Sequence, residues 1–142
     1  MSVLAAAPPT QTVRGALTVG AVAAIGAAVG NLLVLLVGRL AGADMSVVQA
    51  GATEAMTLDA GLVALMTALP VAIGTAALAV ATRWGRRGWM TVGWLGLAVG
   101  LLTTVSPFTV GATTSTAVTL AGMHVVTGVV WFVLVRRSSP PA

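Results

Sequence analysis

The sequence predicts an all-α fold, an antiparallel four-helix transmembrane bundle with both chain ends in the cytoplasm. Three observations lead to this prediction. Four long apolar blocks follow one another, six of the seven arginines fall on one side of them, and the carboxylates Asp44, Glu54 and Asp59 share one loop on the other side. Because cytoplasmic segments are enriched in basic residues, the arginine-bearing side is expected to face the cytoplasm.

The composition excludes an ordinary soluble domain. Soluble domains carry about 25% charged residues, whereas this chain carries 7% and is 58% hydrophobic. Its net charge of +4 comes from arginines at helix ends, with no lysine and no basic stripe, so nucleic acid is not an expected partner. The absence of cysteine excludes disulfides and thiol catalysis.

The apolar blocks predict one membrane domain over residues 14–137. Each block reaches or nears the roughly 20 residues that cross a hydrocarbon core. The first is too long for the apolar region of a signal peptide, so it is expected to remain as a helix. Helices are predicted at about 15–38, 60–82, 89–106 and 117–135, with a disordered head at 1–13 and a disordered tail at 138–142.

Arginines and tryptophans assign the two sides of the membrane. The arginines on the cytoplasmic side precede the first helix, separate the second from the third, and follow the fourth: Arg14, Arg83, Arg86, Arg87, Arg136 and Arg137. Trp84, Trp89 and Trp131 lie near the same side, where indoles are expected to anchor at the interface.

Small residues at helical spacing predict the contact faces, since helices in lipid associate through close packing. The first helix presents Gly20, Ala24, Ala27 and Asn31. The fourth presents Ala117, Ala121, His124, Thr127 and Gly128, and its opposite side, with Val126, Val129, Val130 and Val133, is expected to face lipid. Two glycine pairs, Gly26/Gly30 and Gly96/Gly100, are candidates for contact with a second copy, and Pro70 is expected to kink the second helix.

His124 is the only titratable residue inside a predicted helix, and Asn31 lies at a similar depth. An ionisable group at such depth is a site hypothesis by default. One interpretation is a His124–Asn31 hydrogen bond that joins two helices. The other is a ligand-binding or proton-handling site, with Thr103, Thr104 and Thr127 as further ligand contacts.

The outer loop supplies the remaining candidate side chains. Asp59 is expected to sit at the N-terminus of the second helix, with Thr57 as a possible N-cap, and Asp44 is close enough in sequence to pair with Arg39. Asp44 and Asp59 would serve as catalytic groups beside His124 only if the protein is an enzyme. The known hydrolase, nucleotide and dinucleotide motifs are missing, and neither a metal nor a cofactor is predicted.

Three short motifs resemble a group of small actinobacterial four-span membrane proteins classed as a domain of unknown function. They are Asp44-Met45-Ser46-Val47, Gly111-Ala112-Thr113-Thr114, and the Met123-His124 step four residues before Gly128. The resemblance covers most of the chain. It implies a multi-pass protein of the bacterial cytoplasmic membrane, and it implies no activity.

Three functions are compatible with the sequence. The favoured one is a non-catalytic membrane module that binds a hydrophobic small molecule or a partner membrane protein through a polar pocket in the outer third of the bundle. The alternative is a membrane enzyme that acts on a hydrophobic substrate with His124 as acid or base. The third is an oligomeric pore or small transporter. Membrane lipids are expected partners in all three.

Overall fold

The computed structural model describes residues 11–139, which are mostly helical. The helical class predicted from the sequence is confirmed, while most of the predicted head and the last residues of the predicted tail lie outside the described residues. The elements are α1 (Val13–Leu40), β1 (Ser46–Val47), β2 (Met56–Thr57), α2 (Ala60–Ala81), α3 (Gly85–Leu102) and α4 (Thr114–Arg137), with 3-10 turns at Thr82–Trp84 and Thr103–Phe108.

Side-chain caps fix where three of the helices begin. Thr12 Oγ1 accepts a hydrogen bond of 3.0 Å from the amide of Gly15, and Asp59 Oδ1 accepts one of 2.8 Å from Leu62. Thr113 caps α4 in the same way. The predicted capping role of Asp59 is therefore confirmed, and the suggested Thr57 cap is wrong because Thr57 lies in β2.

Three helical stretches are long and apolar enough to cross a membrane: Val13–Leu40, Ala60–Phe108 and Thr114–Arg137. The second contains both α2 and α3. Gly85, the first residue of α3, has φ +55°, a left-handed conformation that suits glycine.

The side chain of Trp131 shows that the chain turns back between α2 and α3. Its indole lies against Gly74 of α2 and against Gly96 of α3. A single straight helix would hold these two glycines about 33 Å apart. Since one side chain contacts both, α2 and α3 lie side by side at this level rather than end to end.

α1 packs largely through the small-residue face that the sequence predicts, with Gly20, Ala27 and Asn31 buried. α1 packs against α2 and α4, and α3 packs mainly against α4. The buried face of α1 is almost free of large side chains: Ala16, Gly20, Ala23, Ala27, Asn31, Leu35 and Gly38. Gly100 of α3 and Gly128 of α4 bring their backbones into direct contact.

Two valines expected to face lipid instead pack inside the chain. Val126 lies over Gly30, and Val130 lies over Gly26. The lipid-facing prediction is wrong for both, because the missing side chains of the two glycines leave room for branched side chains of α4. The glycine pairs Gly26/Gly30 and Gly96/Gly100 therefore already contact α4 of the same chain.

Two tryptophans expected to anchor at the interface are also internal. Trp89 is 1% exposed, and its indole N–H donates to the carbonyl oxygen of Val135 at 3.0 Å. Trp131 is buried and donates to the carbonyl of Val92 at 3.3 Å. Small residues around these rings make space for them, so burial within the protein replaces contact with lipid headgroups. Trp84 is exposed.

Residues 41–59 form a lid over one end of the bundle, opposite the end that carries every arginine except Arg39. β1 and β2 pair antiparallel, and Val48 pairs with Gly111 across the lid. Met45, a residue of the lid, is fully buried and has a left-handed conformation with φ +57°. Such a conformation costs a non-glycine residue about 1–3 kcal/mol, and surrounding contacts hold it in place.

We expect Gly100→Ala to destabilise the protein and Gly26→Ala to have little effect. A Cβ on Gly100 would stand 2.8 Å from Cα of Gly128 and 3.0 Å from the carbonyl oxygen of His124, and backbone atoms cannot easily move away. A Cβ on Gly26 would meet only a methyl group of Val130, at 3.4 Å.

Thermal unfolding in detergent measures the difference between these two variants. The Gly100 variant should lose about 1–3 kcal/mol, the usual cost of overpacking. Equal unfolding temperatures for the two variants would mean that the α3–α4 contact is not close.

Candidate functional site

Asn31 is the polar centre of the bundle. It is 2% exposed, and its side-chain nitrogen donates two hydrogen bonds, one of 2.8 Å to Thr67 Oγ1 and one of 2.9 Å to Thr127 Oγ1. These residues belong to α1, α2 and α4. One amide group therefore ties three helices together.

The two threonines fix the direction of this network. The hydroxyl of Thr67 donates to the carbonyl of Val63 at 2.7 Å, and that of Thr127 donates to the carbonyl of Met123 at 2.9 Å. Each hydroxyl proton is thus used within its own helix, and each oxygen accepts from Asn31. The amide oxygen Oδ1 of Asn31 is buried and has no hydrogen-bond partner among the described residues.

His124 does not form the hydrogen bond to Asn31 that the sequence suggested. Within residues 11–139, its ring nitrogen Nδ1 lies 2.8 Å from the carbonyl oxygen of Leu120, one turn earlier in α4. The Nδ1 group of His124 is used within its own helix, while Asn31 contacts α4 at Thr127, three residues further along. The pairing prediction is wrong.

The contact with Leu120 defines the tautomer of His124. A carbonyl oxygen only accepts hydrogen bonds, so Nδ1 must carry the proton. In the neutral ring, Nε2 then holds a lone pair. The ring is half-buried, and no hydrogen bond reaches Nε2 from the rest of residues 11–139.

By their positions along the helices, Thr103 and His124 lie at a depth similar to that of the hydrogen-bonded Asn31, Thr67 and Thr127, and we call these five residues the polar layer. Trp131 bounds the layer on the side of the arginines, where its indole touches Gly74 and Gly96. Thr67, Thr103 and His124 each lie about 10 Å along the helix axis from this level, toward the lid. The layer lies between this tryptophan and the lid.

Thr103 and Thr104, predicted as ligand contacts, bond mainly to their own helix. The hydroxyl of Thr103 donates to the carbonyl of Val99 at 2.7 Å, and that of Thr104 donates to the carbonyl of Leu101 at 2.6 Å. Both side chains are half-buried. Their oxygens remain able to accept a further hydrogen bond.

Asp44 joins the lid to the start of α4. Its Oδ1 accepts hydrogen bonds from Thr116 Oγ1 at 2.7 Å and from the amide of Ser46 at 3.2 Å. Thr116 is fully buried, and its hydroxyl oxygen also accepts from the amide of Met45 at 3.1 Å. The hydrogen bond from Thr116, with a smaller effect of the bond from Ser46, lowers the pKa of the Asp44 carboxyl below its ordinary value.

The carboxylates do not adjoin His124. Asp44 is bonded to Thr116, about 12 Å along α4 from the histidine, and Asp59 caps α2. The expected Arg39–Asp44 pair is not formed; Arg39 instead donates to the carbonyl of Leu58 at 3.1 Å. Within residues 11–139, no group of three or more metal-binding side chains is assembled.

Sequence reasoning missed two residues of this network as site residues. Thr67 shares a helix face with the small residues Ala60, Ala64 and Gly74, and this spacing is the available sequence signal, but only the three-dimensional contact shows that Thr67 accepts from Asn31. Thr116 is indistinguishable in sequence from its neighbours Thr113 and Thr114. Its burial depends on the fold of the lid.

Comparison with known proteins assigns a family to this arrangement. The model of DUF6069, a family of unknown function, matches residues 11–141. The chain belongs to this family. No curated protein and no solved structure matches it. Membership in DUF6069 agrees with the predicted resemblance to an uncharacterised group, and the family description gives no activity.

We expect Asp44→Asn to lower the unfolding temperature at neutral pH, with a difference from wild type that shrinks in acid. A depressed folded-state pKa stabilises the protein above the unfolded value, ordinarily 3.8, and this stabilisation is lost as the pH falls through the folded-state pKa. The asparagine keeps an oxygen for Thr116, so the comparison isolates the charge.

Unfolding temperatures from pH 7 down to pH 3 measure this effect. Glu54→Gln removes a carboxylate from the same lid, and its side chain makes no hydrogen bond within residues 11–139, so it should behave like wild type at pH 7. A gap between wild type and Asp44→Asn that stays constant with pH would contradict the role of the charge.

Proposed function

We propose that this chain is an integral membrane protein of four spans, with both ends in the cytoplasm, whose polar layer binds a hydrophobic molecule without converting it. The location proposed is the cytoplasmic membrane of a bacterium, with an actinobacterium as the source implied by the sequence resemblance. Support comes first from the arrangement of helices and charges, and then from the unpaired acceptors of the layer.

The contacts of Trp131 and the position of the arginines support four antiparallel spans. α2 and α3 lie side by side against Trp131, so the stretch Ala60–Phe108 supplies two spans. The indole of Trp89, at the start of α3, reaches Ser138 at the end of α4. The arginine-rich turn and the end of α4 therefore lie at one end of the bundle, and the lid with its carboxylates lies at the other.

The topology can be tested directly because the chain has no cysteine. Ala55→Cys places a thiol on the exposed lid, and Ser138→Cys places one at the end of α4. We expect a membrane-impermeant maleimide to label the lid variant in intact cells, and the Ser138 variant only after lysis. The reverse pattern would invert the orientation, and labelling of both in intact cells would exclude a common cytoplasmic side for the chain ends.

Two acceptors without donors carry the binding proposal. They are Oδ1 of Asn31, which is buried and unpartnered, and Nε2 of His124, which holds a lone pair in the neutral ring. Leaving such a group unpaired in an apolar medium costs several kcal/mol on the scale of a lost hydrogen bond. A hydrophobic molecule with a hydroxyl or N–H group would satisfy the histidine acceptor.

The placement of the carboxylates supports binding over catalysis. Asp59 is used as a helix cap, and Asp44 accepts from Thr116 and Ser46 at the lid. Neither accepts a hydrogen bond from His124. General acid–base chemistry requires a proton donor or acceptor within hydrogen-bond reach of the reacting group, and a second such group beside His124 is not found in residues 11–139.

Catalysis remains the second candidate because of the tautomer of His124. With Nδ1 donating to Leu120, Nε2 of a neutral ring carries the lone pair that a general base requires. The same histidine therefore serves either proposal. The fate of the bound molecule separates them.

Native mass spectra of the protein in mild detergent test the role of His124. We expect wild type to carry a discrete hydrophobic molecule, His124→Gln to retain it in part because the amide oxygen still accepts a hydrogen bond, and His124→Phe to lose it. The loss should be about tenfold or more in affinity, as for one hydrogen bond to a buried acceptor.

Unfolding temperatures of the three proteins show whether the bundle is intact. Retention of the molecule by the folded phenylalanine variant would remove His124 from the site. Release of a chemically altered molecule by wild type, but not by the variants, would favour the enzyme.

A further inference from the structure

A furrow runs between the second half of α1 and the first half of α4, apart from the polar layer. Its volume is about 710 Å³. Leu33 and Val37 form the wall on α1, and Val118 forms the wall on α4. Gly38 and Thr119 lie at its floor. None of these residues belongs to the site predicted from the sequence.

The floor exists because Gly38 has no side chain. The side chain of Thr119 lies directly against this glycine, so the two helices approach closely there. The aliphatic side chains on either side stand above the contact and remain more than half exposed. The result is a narrow channel along the helix crossing, open sideways to the surroundings.

The chemistry of the furrow changes along its length. From Leu33 to Ala41 it spans about 12 Å along α1. Its walls are aliphatic, and no charged side chain lines it. The hydroxyl-bearing residues Thr114 and Ser115 stand at the end nearest the lid. This gradient matches a molecule with a long apolar tail and a hydrogen-bonding head.

We propose that the furrow holds one acyl chain of a membrane phospholipid, with its ester oxygens accepting hydrogen bonds from Thr114 and Ser115. This inference rests on the membrane location proposed above, and it does not depend on the ligand of His124. Apart from Ala41, the lining residues lie within stretches apolar enough to cross a membrane, so at the membrane location proposed above the open side of the furrow faces hydrocarbon.

The bulk of the walls argues against a second copy of the chain as the occupant. Helices that associate in lipid do so through small residues, which let their backbones come close. Here the exposed walls are leucine and valine, and the glycine at the floor is already covered by Thr119. A flexible acyl chain fits between such walls without requiring close approach of a third backbone.

Lipid retention by two neighbouring tryptophan variants tests the proposal. Val37→Trp fills the furrow, whereas Leu36→Trp places the same indole on an exposed residue of α1 that does not line it. The probe is a phosphatidylglycerol of defined chain length, added to delipidated protein in mild detergent and followed by native mass spectrometry. His124→Phe is measured alongside.

We expect wild type, Leu36→Trp and His124→Phe to retain one lipid, and Val37→Trp to bind it at least about tenfold more weakly, because the indole displaces two or more methylene groups. Equal retention by both tryptophan variants overturns the proposal, as does wild type that retains no lipid. Loss of the same lipid by His124→Phe would place it in the polar layer and also overturn the furrow site. Loss of a dimer in Val37→Trp would make the occupant a second copy.

Should Val37→Trp fail to fold, as its unfolding temperature would show, Val118→Trp fills the furrow from the opposite wall. The same loss of lipid is expected. A folded Val118→Trp that retains the lipid as wild type does would overturn the proposal.

Discussion

The hydrogen bonds of Asn31 are the constraint on which the packing of α1, α2 and α4 depends. In lipid, helices gain little from burying apolar surface, and each interhelical hydrogen bond contributes only about 0.6 kcal/mol on average. The importance of the Asn31 hydrogen bonds is geometric, because two bonds from one amide set the rotation and the axial position of three helices together. Contacts of the adjacent residues, such as Val126 over Gly30, require that alignment. A rotated α1 would bury its leucines against α4 and expose the amide to hydrocarbon.

The two ends of the bundle are held by different means. At the arginine end, the buried indole rings of Trp89 and Trp131 donate hydrogen bonds to backbone carbonyls, and Trp131 also fills the space left by Gly74 and Gly96. At the other end, the lid is held by a few directed bonds around Thr116, and Met45 is kept in a left-handed conformation by bonds to both of its backbone groups. The polar layer lies between a dense floor and a cover with few interstrand bonds.

The sequence predicted the helical segments and the contact face of α1 well, because apolar length and the spacing of small residues depend only on local chain geometry. Asn31 was identified for the same reason, as a polar residue on that face. Its partner was not, since Thr67 and His124 satisfy the same pattern and the choice depends on the relative rotation of the helices. Trp89 and Trp131 were placed at the correct end but on the wrong surface, because their burial depends on contacts with other helices, such as those of Trp131 with Gly74 and Gly96. The role of Thr116 depends on a lid with almost no periodic signal.

The orientation of the hydrogen bonds around Asn31 has a consequence for ion movement. A proton relay needs groups that accept a proton on one side and release one on the other. Both hydroxyl protons beside Asn31 point into backbone carbonyls, and the amide donates to both oxygens without being able to exchange its own protons for theirs at neutral pH. Asn31, Thr67 and Thr127 therefore do not form a proton relay among themselves. The bonds that align α1, α2 and α4 also hold both hydroxyl protons around Asn31 in fixed directions.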